Sequence, residues 1–358
     1  MKAARRSTLA EWHHARELVN EHGENATAYQ ILNPGIERWL KPNAVVGYVT
    51  AAGYRVVAGA PICAEDDLAA VVEAFENDSH RQSLRTCYFA ADDRLAETLA
   101  WRGPYDRILL GSQPVWNPAH WPVILDRKAS LRAQLYRARN KGVHVRHVPV
   151  EEAARDPRLE SCLAAWLETR GLPPLHFLVE PATLGRLHDR EVFIAQKQQE
   201  VVGFLVASPI PRRNGWLVEQ NIRAPNAPNG TTELLLTAAM MHLAEQGAEV
   251  VTLGLSPLSR RSCITAEHVW WIRLLWPWIR AHGKRFYNFE GLDNFKAKFL
   301  PERWEPIWAI TSAGRVSPRT LYAIAEAFGR MPPPLLVART LGRAVGQEAR
   351  WLRRRLGL

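Results

Sequence analysis

The feature that most constrains the fold is a succession of strands and a helix in the second half of the chain. Residues 191–196 and 201–208 are β-rich runs separated by a short polar turn, which predicts a hairpin. Residues 216–222 predict a third strand. Helical periodicity over residues 231–246 and an apolar run at 250–253 complete the series. Strands interleaved with helices in this way predict an α/β fold with a mixed sheet.

The first part of the chain shows a similar but shorter pattern. Two β-rich runs, residues 44–51 and 54–60, are broken at Ala52-Gly53 and predict another hairpin. Helices are then expected at 66–76 and 92–101, and strands at 84–89 and 107–110. The order in the second half resembles an N-acetyltransferase-like (GNAT-type) lobe. We therefore expect an α/β protein of two tandem GNAT-like lobes with mixed sheets.

The boundary between these lobes is predicted from proline content. Residues 113–122 contain three prolines in ten residues, which predicts an irregular linker. The expected domains are an N-terminal GNAT-like lobe at 1–118, a C-terminal GNAT-like catalytic lobe at 119–315, and a basic amphipathic helical tail at 316–358.

A second informative segment is YNFEGLDNFKAKFLPERWEP at residues 287–306, which combines aromatic residues, lysines and carboxylates. It resembles the C-terminal signature of lysylphosphatidylglycerol synthases, the soluble half of multiple peptide resistance factors. The resemblance covers about residues 120–310 through specific motifs, and the first lobe only through strand order. It implies an enzyme that moves an aminoacyl group from charged tRNA to a lipid hydroxyl.

The resemblance also implies a set of site residues. Glu219 and Glu233 are expected to hold the aminoacyl ammonium, and Arg223, Lys296 and Lys298 to bind phosphate or stabilise charge. Tyr287 and Glu305 are expected to lie nearest the acceptor. The predicted substrate-binding residues are Asn229, Ser256, Ser259, Arg285, Asn288, Glu290, Lys296 and Lys298. Ser256 lies in no G-x-S-x-G elbow, so the loop is expected to shape the pocket without supplying a nucleophile.

Charge points to a polyanionic partner. The chain has a formal net charge of +10, and residues 128–141 hold five cations and no carboxylate. These cations are the predicted tRNA-binding residues Lys128, Arg132, Arg137, Arg139 and Lys141. Such a face matches phosphates of RNA or of lipid headgroups, with an ordinary solvated helix face as the alternative.

No cofactor and no metal are expected. The four cysteines are scattered without a CxxC pair, and no histidines stand at metal-ligand spacing. Acetyl-CoA is disfavoured because Pro225 and Pro228 remove backbone donors from the turn that would bind its pyrophosphate. With no run of 18 apolar residues, we expect a cytoplasmic protein associated peripherally with the inner face of the membrane.

Two further segments are open to alternative interpretations. In residues 335–358 six arginines accompany apolar residues at helical spacing, typical of a membrane-surface helix or of a helix packed on its own protein. Residues 268–282 contain four tryptophans, which would pack in a core or contact lipid.

The predicted function is direct transesterification from aminoacyl-tRNA to a lipid hydroxyl such as that of phosphatidylglycerol. The predicted partners are thus aminoacyl-tRNA and an anionic membrane lipid. Alternatives are aminoacyl-tRNA-dependent transfer to a small soluble acceptor, acyl-CoA-dependent N-acyl transfer, and RNA or membrane binding without catalysis.

Overall fold

The computed structural model describes residues 9–100, 102–103, 105–170, 173–262, 264, 270–282, 288–312, 314–335 and 339. The N-terminal part contributes α1 (Leu9–His22), β1 (Glu37–Lys41), β2 (Ala44–Ala51), β3 (Tyr54–Ala58), β4 (Ile62–Cys63), α2 (Leu68–Arg81), β5 (Arg85–Ala91), α3 (Asp93–Ala100) and β6 (Asp106–Trp116). The middle of the chain contributes α4 (Trp121–Arg127), α5 (Ala129–Asn140), β7 (Val143–Val148), α6 (Val150–Ala153), α7 (Pro157–Glu168), β8 (Glu191–Lys197), β9 (Glu200–Ile210) and β10 (Gly215–Arg223). The last elements are α8 (Thr231–Glu245), β11 (Val250–Thr252), β12 (Ser256–Pro257), α9 (Trp270–His282), α10 (Phe289–Ala297), β13 (Arg303–Thr311) and α11 (Pro318–Gly329).

These strands form one continuous mixed sheet. Its order is β1-β2-β3-β5-β13-β6-β11-β10-β9-β8-β7, with β4 beside β2 and β12 beside β6. Each half contains an antiparallel hairpin whose second strand leads through a helix to a parallel neighbour. In the first half β3 leads through α2 to β5, and in the second half β10 leads through α8 to β11. The predicted α/β class with a mixed sheet is therefore confirmed, and both halves have the arrangement expected of GNAT-like lobes.

The two halves are joined more closely than the sequence suggests. Strand β13 follows the whole second half in sequence, yet it lies between β5 and β6 and is antiparallel to both. The domain boundary at residue 118 remains a prediction, because the sheet continues across it.

The prediction of an irregular linker at residues 113–122 is wrong. Gln113–Trp116 is the end of central strand β6, and Trp121–Arg127 is helix α4. Proline is disfavoured in a central strand because it lacks the N–H of the ladder. Pro114 is paired with β13, but on its other side β11 contacts Val115 and β12 contacts Ser112, so that ladder is interrupted beside the proline.

Both faces of the sheet are covered. In β3, Val56 packs in the cluster that includes residues of α1 and α11, whereas Val57 packs with residues of α2 and α3. Such alternation is the period-2 pattern of a strand buried on both faces. The second half has its own core, formed by α5, α7 and α8 against β7–β10. Among the described helices, none has the length and apolar character needed to cross a bilayer.

Candidate active site at the diverging strands

The two parallel strands of the second half separate and leave an opening. Leu217 of β10 lies opposite Thr252 of β11, where their pairing ends. β10 continues to Arg223 beside β9, whereas the segment after β11 stays beside β6, where Ser256 of β12 lies opposite Ser112. In α/β sheets, ligands bind beyond the carboxyl ends of strands where neighbours diverge.

Buried polar atoms without partners lie on both of the diverging segments. On β10, both side-chain polar atoms of Asn221 and the Oε1 of Gln220 are buried and have no hydrogen-bond partner in the described part of the chain. On β12, the hydroxyl of Ser256 is likewise buried and has no hydrogen-bond partner among the described residues. Buried polar groups in folded proteins almost always have a partner. The arrangement therefore offers donors and acceptors to a bound molecule.

The loop that follows β11 is held by a buried lysine. Lys296 of α10 is only 4% exposed, and its Nζ donates to the carbonyl oxygens of Gly254 at 2.8 Å and Leu255 at 2.9 Å. Burial lowers the pKa of Lys296 to about 7, and the nearby Asp293 carboxylate opposes this only in part. Because of this pKa, a substantial fraction of the Lys296 side chains carries a neutral amine near neutral pH.

Further contacts fix this loop against the sheet. The Ser259 and Ser112 hydroxyls lie 2.9 Å apart, and Arg261 donates to one oxygen of Asp293 at 2.6 Å. The other Asp293 oxygen is buried without a partner in the described residues. Gly111, with φ of +149°, permits the close approach of β12, because a Cβ there would lie 2.2 Å from the Ser256 carbonyl oxygen.

Glu219 belongs to a fully buried ionic network. Its carboxylate accepts two bonds from Arg190, each at 3.0 Å, and both side chains are 2% exposed. Asn33 donates at 2.6 Å, and Ser208 and Gln30 also donate to it. Burial alone raises the pKa of Glu219, but Arg190 and these hydrogen bonds outweigh it and hold the pKa below the ordinary value. Glu219 thus links β10 to the segment after α1.

Glu233 lies in the first turn of α8 and has a different partner. Its carboxylate accepts from Lys298 at 2.6 Å, and the two side chains are 12% and 34% exposed. Glu219 and Glu233 share no hydrogen-bond partner among the bonds of the described residues. The structure thus places the two predicted ammonium-binding carboxylates in separate networks.

Glu305 of β13 is also paired. Arg213 donates to both of its oxygens, at 2.9 and 2.6 Å, and Gln113 donates at 2.9 Å. Burial raises the pKa of Glu305. The hydrogen bonds and positive charge of Arg213 lower it by more, so the net pKa is below the ordinary value. This carboxylate therefore stays ionised and connects β13 to the second half.

The predicted tRNA-binding cations divide into two groups. Arg137, Arg139 and Lys141 are exposed, while the opposite face of α5 buries Leu131 and Leu135. Lys128 and Arg132 are half-buried, and Arg132 donates to the Leu125 and Asp126 carbonyl oxygens at the end of α4. Arg132 therefore already has a structural role.

The remaining predicted residues lie in several different elements. Arg223 is half-buried at the end of β10, and Asn229 is exposed in the turn before α8. Asn288 begins α10, where its side chain accepts from the Gly291 N–H at 2.9 Å, and Glu290 is exposed. Arg285 and Tyr287, like residues 340–358 of the predicted tail, lie outside the described residues.

Sequence reasoning missed the partners that hold these groups. Arg190, Asn33 and Arg213 each complete an ion pair or network over more than 25 residues of sequence. None lies in a motif with recognisable spacing. The only sequence signal that Asp293 belongs to the site is its position in the segment 287–306, between Glu290 and Lys296.

The sequence of this chain is similar to those of a known protein family and of several curated proteins. The model of the family described as "Phosphatidylglycerol lysyltransferase, C-terminal" matches residues 16–311. The phosphatidylglycerol lysyltransferase of Bacillus subtilis (strain 168) is 22% identical over 319 residues, which cover 87% of this chain and 36% of that protein. The lysylphosphatidylglycerol biosynthesis bifunctional protein LysX of Mycolicibacterium gilvum is 29% identical over 251 residues, 62% of this chain and 21% of LysX. The chain therefore spans only about a fifth to a third of the length of these curated relatives.

Two solved structures have the same fold. One is the C-terminal domain of an Agrobacterium fabrum protein described as a lysylphosphatidylglycerol synthetase, with a TM-score of 0.77, 21% identity, and coverage of 90% of this chain and 98% of that one. The other is L-PGS from Bacillus licheniformis, with a TM-score of 0.73, 19% identity, and coverage of 89% and 97%. At these identities the likeness extends to the fold alone.

Proposed function

Because the chain belongs to the family of phosphatidylglycerol lysyltransferase C-terminal regions, we propose that it transfers an aminoacyl group from charged tRNA to a hydroxyl of an anionic lipid such as phosphatidylglycerol. The names of the curated relatives support a lipid acceptor. The net charge of +10 suits both tRNA and an anionic membrane surface, where the protein would act at the inner face.

The observation that carries this proposal is the unpaired amide of Asn221 at the strand divergence. Its NH2 group would donate to an ester carbonyl, and its oxygen would accept from an ammonium. An aminoacyl ester has both groups on adjacent carbons. The Ser256 hydroxyl across the opening supplies a second donor for the oxyanion that forms during transfer.

Glu233 is the better candidate to contact the aminoacyl ammonium. Glu219 already accepts from Arg190, Asn33, Ser208 and Gln30, so it positions β10. Among the described residues Glu233 accepts one hydrogen bond, from the partly exposed Lys298. A charged substrate amine paired with a carboxylate in a partly buried site is favourable.

The chemistry needs no covalent enzyme intermediate because the ester is already activated. The lipid hydroxyl attacks the ester carbonyl carbon, and the bond to the tRNA 3′ oxygen breaks. Lys296 would act as the general base in this step. As a neutral amine its two N–H groups meet the Gly254 and Leu255 carbonyls, which leaves a lone pair to take the hydroxyl proton and return it to the departing tRNA oxygen.

Two alternatives remain distinct proposals. Transfer to a small soluble acceptor would use the same chemistry without lipid. Acyl-CoA-dependent transfer is disfavoured, because the carboxylate of Glu233 lies in the first turn of α8, where a pyrophosphate would bind, and Pro225 and Pro228 lack N–H donors.

The test is a transfer assay with total charged tRNA, each amino acid labelled in turn, and vesicles of phosphatidylglycerol. Vesicles of phosphatidylcholine, which lacks a free headgroup hydroxyl, are the control. Label is expected in the organic phase only with charged tRNA and phosphatidylglycerol. Label transferred from acyl-CoA without tRNA, or to a water-soluble product alone, would establish an alternative.

Variants connect this activity to the opening. Asn221→Leu keeps the side-chain size and removes both polar atoms, and should reduce transfer by about 10- to 100-fold. The matched control is Asn77→Leu, at an exposed position of α2, which should leave transfer unchanged. Equal activity in the two variants would remove Asn221 from the site.

A further inference from the structure

A cluster of two histidines and a glutamate lies away from the strand divergence. His147 of β7, Glu191 of β8 and His242 of α8 each offer a ligand atom, and these atoms all lie within 4.8 Å of one another. The Nε2 of His147 contacts a Glu191 oxygen, and the Nε2 of His242 lies 3.7 Å from that same oxygen. Three separate elements thus converge on one carboxylate.

The two imidazoles are held in place by packing. Their rings stack with centroids 4.1 Å apart, and the buried ring of Phe193 supports them at 5.2 Å from His147 and 5.4 Å from His242. The three side chains are 18–37% exposed, so ions from solvent reach them. Ordered imidazoles require little reorganisation to share a ligand.

The contact between His242 and Gln246 shows which nitrogen of the imidazole is unprotonated. The Nε2 of Gln246 lies 2.9 Å from the Nε2 of His242. An amide nitrogen only donates, so this imidazole nitrogen accepts and carries a lone pair. This nitrogen also lies 3.7 Å from Glu191, and a metal ion there would replace the Gln246 amide as the partner of its single lone pair.

We propose that His147, Glu191 and His242 bind a divalent transition metal ion of the zinc type, with a fourth position open to water. Two imidazoles and one carboxylate are a ligand set that such ions prefer. Tetrahedral coordination at about 2.0 to 2.1 Å brings ligand atoms to roughly 3.3 Å from one another. The 3.7 Å separation of His242 and Glu191 is close to this value, whereas His147 and Glu191, which are in direct contact, would have to move apart.

The expected effect of the metal is to stabilise the edge of the sheet. β7 is the last strand in the sheet order, and α8 carries Glu233 in its first turn. A metal at this cluster would connect the edge strand to the other end of that helix. This inference stands on its own geometry and does not depend on the proposed transfer reaction.

The experiment uses the full chain with any affinity tag removed, after dialysis against a chelator. Calorimetric titration with ZnCl2 should give one tight equivalent, and Co2+ should give the visible absorption of a low-symmetry site with nitrogen ligands. At roughly a hundredfold excess of Zn2+ over Kd, the unfolding midpoint should rise by about 3 °C.

The variants separate ligation from packing. His242→Phe and His147→Phe keep a ring against Phe193 but remove the ligand nitrogen, and each should lose the tight equivalent and the thermal shift. His144→Phe, at an exposed histidine on the same strand, is the matched control and should retain both. Absence of a tight equivalent in the unmodified chain, or its retention in His242→Phe, would overturn the proposal.

Discussion

Burial has different consequences for the charge of two ionisable side chains, because it favours the neutral form of Lys296 whereas Glu219 remains charged. Lys296 meets backbone carbonyls, which are dipoles without a full negative charge, so burial lowers its pKa to about 7. Glu219 meets the guanidinium of Arg190, which keeps it ionised. The sequence placed both residues near a site but could not distinguish these states, because the deciding partners are distant in sequence.

Lys296→Met should change how stability depends on pH. The unfolded lysine has an ordinary pKa of 10.5, so between about pH 7 and 10 the unfolded chain binds one more proton than the folded chain. The free energy of unfolding of the unmodified protein, relative to Lys296→Met, should therefore rise with pH by up to about 1.4 kcal/mol per unit across that window. Denaturant unfolding at several pH values measures this difference. A difference independent of pH would show that Lys296 is not neutral in the folded protein.

Glu219→Gln and Glu233→Gln should have different effects. Glu219→Gln leaves the buried Arg190 without a counter-charge and should lower the free energy of unfolding by about 3 to 5 kcal/mol. Glu233→Gln affects a partly exposed pair and should cost less than about 1 kcal/mol. It should nevertheless reduce kcat/KM of transfer by about 10- to 100-fold, as expected for a lost charged hydrogen bond. Equal stability losses in the two variants would contradict this division.

Elements that are continuous apolar runs between turn residues could be predicted, and those defined by distant pairing could not. α8, β8 and β9 follow from local sequence, since each is a mainly apolar run that is buried over most of its length. The end of β6 was missed because Pro114 argues against a central strand. Only the divergence of β11 and β12 makes that proline acceptable, and no local pattern reveals the divergence.

The basic face of α5 yields a prediction on tRNA binding. Arg137→Glu with Arg139→Glu should weaken binding and reduce the slope of log K against log salt by roughly 0.7 to 0.9 per lost phosphate contact. Both residues are exposed, so the fold should be retained. Binding is measured by filter retention at several salt concentrations. Arg81→Glu on α2 is the control, and an unchanged slope in the double variant would exclude α5 from the tRNA interface.

The continuous sheet makes the two halves mutually dependent. β13 lies between β5 and β6, and Arg213 pairs with Glu305 across the halves. The sequence predicted two similar lobes, which the strand arrangement supports. It could not predict that one strand of the first lobe comes from the end of the second, because that pairing spans most of the chain.

A fragment of residues 1–118 should therefore not fold alone. Without β13, strands β5 and β6 lack the strand that joins them. Circular dichroism and hydrogen exchange of the fragment should show little cooperative structure, and co-expression with residues 119–358 should restore it. A fragment with a cooperative unfolding transition would instead support an independent N-terminal domain.

The position of β13 late in the sequence also delays completion of the sheet during synthesis on the ribosome. β6 ends at Trp116 and β13 begins at Arg303, so almost two hundred residues must be translated before the first half of the sheet closes. At roughly 5 to 20 residues per second, the nascent chain would spend about 10 to 40 s with two unpaired strand edges. During that interval the growing chain is open to mispairing with other chains, so its yield in the cell should depend on chaperones that bind it while translation continues.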